Sequence, residues 1–201
     1  MNGFLQIGGL LCVLAIFTVA AQKPKNIRNV DFKNFTYEWD EPISRDARGD
    51  VQPWYWMEKS PNTTFRMRNG QADFTRSDDG EVIQTYISMY GVSYGQLEGD
   101  SSEDAAVHLN YSTGGTANWD YLYVYKVDHE RAKLLARLES GERAYGGLVH
   151  VAIENRLLVL DFADPERSEG DCCSKGYIRV HYAWRHGHFE ETGPWERGDL
   201  K

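Results

Sequence analysis

The chain has 201 residues and a formal net charge of −8, with 22 Lys and Arg against 30 Asp and Glu. That is enough chain for one domain with a real core. The charges are mixed in sign and form no basic stripe, which argues against nucleic acid or an anionic membrane surface as a partner.

Residues 1–21, MNGFLQIGGLLCVLAIFTVAA, carry no charged side chain and end in Ala20-Ala21 before Gln22-Lys23-Pro24-Lys25. An apolar run closed by small residues reads as a secretory signal. Its apolar core is short for a spanning helix of about 20 residues, so no stable membrane span is expected once the signal is removed. The expected organisation is a signal at 1–21, one β-rich domain over 22–191 and a flexible tail over 192–201, in a secreted or periplasmic protein.

Phe35, Tyr37 and Trp39 alternate with Thr36, Glu38 and Asp40, the period of a half-buried strand. Residues 41–53 read as a loop, and Trp54-Tyr55-Trp56-Met57 opens a new apolar stretch. Asn69-Gly70, set between alternating residues, predicts a two-residue hairpin turn. The hairpin register would place Arg68 opposite Gln71, Met67 opposite Ala72, Arg66 opposite Asp73 and Phe65 opposite Phe74.

Residues 81–94 are rich in β-branched and aromatic side chains and predict a long strand. Further strands are expected over 105–111 and 119–127. In the second, Trp119, Tyr121, Tyr123, Tyr125 and Val127 line one face, with Leu122 and Val124 on the other. That aromatic stripe reads either as core or as a sugar- or peptide-binding surface. Residues 133–138 fit a strand, although 130–139 also fit a short helix with Leu134, Leu135 and Leu138 on one side; the neighbouring strands favour a strand. A hairpin is expected around Glu154-Asn155 and another around His186-Gly187, which sets Trp184 opposite Phe189. The fold class is mainly β: an antiparallel sheet or sandwich of hairpins in a single domain.

Cys12 would leave with the signal, and the cysteines that remain are neighbours, Cys172 and Cys173. Adjacent Cα atoms lie about 3.8 Å apart, inside the usual lower limit of about 4.4 Å for a disulfide. A vicinal Cys172–Cys173 bridge would be strained and easily reduced. The alternatives are free thiols, a soft-metal site with His181, His186 and His188, or bridging between chains. No standard zinc spacing supports the metal.

The loop Tyr94-Gly95-Gln96-Leu97-Glu98-Gly99-Asp100-Ser101-Ser102-Glu103-Asp104 has the layout of an oxygen-ligand calcium loop that has lost ligands. Glu98, Asp100 and Asp104 are its candidate metal residues. Val107 stands where an EF-hand needs its last Glu, so that motif is excluded. The loop resembles the Asp-rich loop of FG-GAP/VCBS-type blades. A wider resemblance, to a set of uncharacterised secreted bacterial proteins, rests on this loop and five later features. These are Gly114-Gly115, Tyr123-Val124-Tyr125, Arg143-Ala144-Tyr145-Gly146-Gly147 and Cys172-Cys173, closed by the segment from Tyr182 to Phe189. It covers residues 80–190 and implies a lineage and a compartment, but no activity. Gln96 stands where the pattern has its first Asp, and Ser101 where it has Gly, a costlier residue for a left-handed turn. Calcium affinity should then fall to ~10⁻⁴–10⁻³ M or vanish. The loop is expected to be a turn in which Asp100 and Asp104 cap backbone N–H groups.

No phosphate loop occurs, and nothing selects one pair among the many carboxylates. The expected function is a non-catalytic binding or structural module for a protein or glycan ligand, without a cofactor. The alternative is a cell-envelope hydrolase using carboxylates in a cleft.

Overall fold

The computed structural model describes residues 25–39, 54–57, 63–78, 80–115, 118–169 and 173–200. The signal expected over 1–21 and Cys172 of the vicinal pair lie outside the described residues.

The chain is mostly β, and its sheets are antiparallel. In order come β1 (Thr36–Trp39), β2 (Tyr55–Trp56), β3 (Thr63–Arg66) and β4 (Gln71–Asp78). Four long strands follow: β5 (Glu81–Gly95), β6 (Asp104–Ser112), β7 (Asn118–Asp128) and β8 (Arg131–Glu142). The last five are β9 (Leu148–Glu154), β10 (Leu157–Ala163), β11 (Gly176–Arg185), β12 (His188–Glu191) and β13 (Glu196–Asp199). A central sheet runs in the order β2-β8-β7-β6-β5-β4. A C-terminal sheet runs β12-β11-β10-β9, with β13 also on β11, and β1 pairs with β3 as a separate ribbon.

The middle strands of the central sheet, β6 and β7 above all, are packed on both faces. Tyr121, Tyr123 and Tyr125 pack with Tyr37, Phe65 and Ile87 in one core layer, beneath the β1–β3 ribbon. Leu122, Val124 and Leu138 pack with Leu158, Leu160 and Phe162 of the C-terminal sheet in the other. A strand with core on both sides needs no polar face, which is why β7 reads as an almost unbroken apolar run. The aromatic stripe of β7 is therefore core, not a binding surface. Leu134 and Leu135, adjacent in β8, fall into the two different layers. That alternation fits a strand and not a helix, so the ambiguous 133–138 segment resolves as β.

The two-residue turns need φ > 0 at both positions. His186-Gly187 has φ of 52° and 82°, and Trp184 pairs with Phe189 as read from sequence. The β9–β10 turn falls at Asn155-Arg156, one residue later than expected, with φ of 50° and 65°. Asn69-Gly70 forms its turn, with φ of 53° and 81°, and Arg68 does face Gln71. The hairpin stops there. Phe65 pairs with Tyr37 and Arg66 with Thr36, while β4 turns to β5. Burial explains the departure: Tyr37 is fully buried, stacks on Phe65 at 5.4 Å and donates its hydroxyl to the Phe32 carbonyl. Phe65 still reaches Phe74, at 6.2 Å between ring centres.

The segment after Thr192, expected to be flexible, adds β13 to the sheet. Arg197 reaches the buried Asp164 at 3.0 Å, and the Leu200 N–H donates to the Lys175 carbonyl. A polar composition hid a strand whose partners are charged.

Candidate functional site

Strand β6 sends Val107, Leu109 and Tyr111 into the tyrosine-rich core layer. Its other face carries Ala106, His108 and Asn110, and β7 sets Asp120 beside them. Ala106, Leu122 and Val124 on this face meet the C-terminal sheet. Beyond them the cover parts. At one end β9 lies tight on β5: the Ile153 N–H donates to Ser93 Oγ at 3.2 Å, and a Cβ on Gly95 would sit 2.6 Å from Ile153 Cγ2. Toward its start β9 leaves a groove of about 660 Å³, floored by His108, Asn110, Asn118 and Asp120. Residues Leu148–Val151 of β9 form one wall.

Asp120 organises the floor. Its Oδ1 accepts from His108 Nε2 and from Asn110 Nδ2, both at 3.1 Å, and its Oδ2 accepts the Leu148 N–H at 3.1 Å. Buried side chains of this polarity persist only when so satisfied. A carboxylate only accepts, so His108 holds a proton on Nε2. The same bonds fix three strands together, because their donors come from β6 and β9 and their acceptor from β7. His108 and Asp120 are only 8% and 5% exposed.

Two exposed side chains overlook this floor. A bulge between Met89 and Gly91 makes Tyr90 an extra residue in β5. Its ring lies edge-to-face on His108 at 5.2 Å yet stays 64% exposed. Burial raises the Tyr90 phenol above its ordinary pKa, the Asp120 charge adds to this, and Arg143 opposes it. Arg143 opens the turn after β8, where its N–H bonds the Asn118 carbonyl and Gly147 N–H returns to the Glu142 carbonyl. A Cβ on Gly147 would come within 2.7 Å of Arg143 Cα, so only glycine closes this turn.

The residues singled out from sequence lie elsewhere. Asp104 accepts the Leu97 N–H and Asp100 the Ser102 N–H, each at 2.9 Å, which are the caps expected of the turn. Glu98 is held between Lys126 Nζ at 2.8 Å and Trp184 Nε1 at 3.0 Å. Each of the three candidate carboxylates is thus committed to a protein partner. The left-handed residue of this loop is Gly99, φ 78°, so Ser101 carries no such strain. Burial pushes the Asp104 carboxyl up to about 6 against the Leu97 bond, with Glu98 and Asp100 adding to the rise. His186 and His188 both turn to Glu190, while His181 lies within β11 opposite Val159. Cys173 is exposed. Among the described residues no group of three or more His, Cys, Asp or Glu is arranged to hold a metal.

Sequence reasoning missed the groove residues. The signal was there in β6 and β7: His108, Asn110 and Asp120 are polar residues at alternating positions within otherwise apolar strands. No protein-family model, curated protein or solved structure matches the chain.

Proposed function

We propose that this is a secreted or periplasmic binding module, non-catalytic, whose ligand is a glycan held in the groove between β5–β7 and β9. One observation carries the reading: His108, Asn110 and Asp120 form a hydrogen-bonded floor in the groove, and the exposed ring of Tyr90 lies against His108. Sugars present an apolar ring face and a hydroxyl edge. An aromatic side chain supports the first, and fixed amide, imidazole and carboxylate groups order the second. Arg143 adds a donor fork at the rim.

Calorimetric titration with soluble bacterial and plant oligosaccharides tests this. Wild type should bind at least one class, and Tyr90→Ala should weaken that binding about tenfold, the effect of ~1.4 kcal/mol. Arg143→Ala should weaken it further. Failure of every class to bind, or binding that ignores both substitutions, would sink the proposal.

The His108–Asp120 pair favours one second reading, a cell-envelope hydrolase, since such a pair can exchange protons. Asp120 is the only carboxylate lining the groove among the described residues, whereas glycosidases generally need two. Release of reducing ends by wild type, lost in His108→Ala, would select the hydrolase.

A further inference from the structure

The floor of the groove continues past its mouth. Directly paired residues of antiparallel strands share a face, so the register carries the floor outward from His108 and Asn110. Ser88 pairs with Asn110 and Tyr86 with Ser112. None of these four is buried, whereas Ile87, Leu109 and Tyr111 on the opposite face are core. Tyr86 is 47% exposed. It stands against the turn at Gly114, where a Cβ would lie 3.5 Å from its ring. Gly114, with φ of 82°, thus backs one side of the ring.

Taking the groove as the glycan site proposed above, we infer that Tyr86 is a second sugar-stacking position, so that the ligand is a linear oligosaccharide lying along β5 from Tyr90 to Tyr86. Tyr90 lies four positions after Tyr86, and the bulge at Tyr90 absorbs one of these steps. At about 3.3 Å per residue the gap is roughly 10–13 Å, wider than one sugar ring. Ser88, Asn110 and Ser112 fill it with hydroxyl and amide groups. No residue of Tyr86–Tyr90 or of Leu109–Ser112 is charged, which suits a hydroxyl-rich chain better than a phosphate backbone. A protein partner would want a continuous apolar patch with a desolvated anchor. Two rings separated by polar groups do not offer one.

The test measures affinity for labelled oligosaccharides from monomer to hexamer, built on glucose, N-acetylglucosamine and uronic-acid backbones. The proteins are wild type, Tyr86→Ala and Tyr90→Ala, each checked for an unchanged melting temperature. Wild-type affinity should rise with chain length. Tyr86→Ala should abolish that rise, lowering hexamer affinity about tenfold while leaving the dimer unchanged. Tyr90→Ala should weaken every length. Affinity that ignores chain length but still needs Tyr90 would overturn the second position and leave the groove reading standing. Equal losses for dimer and hexamer in Tyr86→Ala would also overturn it. Absence of binding to any chain would remove both.

Discussion

Two buried carboxylates of this protein face opposite circumstances. Asp120 accepts three hydrogen bonds from two neighbouring strands. Asp104, 2% exposed, has the Leu97 N–H and the nearby charges of Glu98 and Asp100. Burial, with those two charges adding to it, raises its pKa from 3.8 to about 6 against the Leu97 bond. An acid whose folded pKa is raised stabilises the fold fully below its unfolded pKa and loses that contribution as pH climbs through the folded one. For Asp104 the loss therefore falls between about pH 4 and pH 6. Asp104→Asn keeps a carbonyl oxygen for Leu97 and removes the buried charge. It should raise the melting temperature at neutral pH by about 3 °C, the effect of ~1 kcal/mol in a chain of this size. The gain should vanish below about pH 4. A fall at neutral pH, or a gain unaffected by pH, would contradict this account of Asp104. The sequence placed Asp104 in the loop and identified it as a cap. It could not show burial, which comes from the strands packed over it.

At the scale of elements, local chemistry was legible and competition between elements was not. Asn69-Gly70 dictates its turn because those residues accept positive φ. The pairing beyond Arg68 depends on Tyr37, which lies far back in the chain and takes Phe65 for its own core layer. Glycine shows a similar split. Gly95 is one of several glycines in the sequence, yet it alone lets β9 close on β5 at Ile153. Gly95→Ala would set a methyl 2.6 Å from Ile153 Cγ2 and 2.8 Å from its carbonyl. Overpacking of this kind costs about 1–3 kcal/mol, read as a lowered urea midpoint with an unchanged slope. Gly91→Ala, in the same strand, meets nothing within 4 Å and serves as the control. Equal effects at the two positions would show that the β5–β9 contact does not fasten the sheets.

The described residues form a central sheet with a ribbon on one face and a second sheet on the other. Most of the strands that make it were legible from alternation and turn residues. Which part of the central sheet stays uncovered was not, because that depends on where β9 departs from β5. His108, Asn110 and Asp120 sit at core-type positions of their strands, and only the missing cover turns them into a site. That floor is where the proposed glycan binds. Backbone amide shifts of the isotope-labelled protein, followed by NMR as an oligosaccharide hexamer is added, test it most directly. Shifts should gather at residues 86–93, 108–112, 118–120 and 143–151, with β11–β13 unmoved. Shifts centred on β11–β13, or none at a saturating concentration of any hexamer, would contradict it.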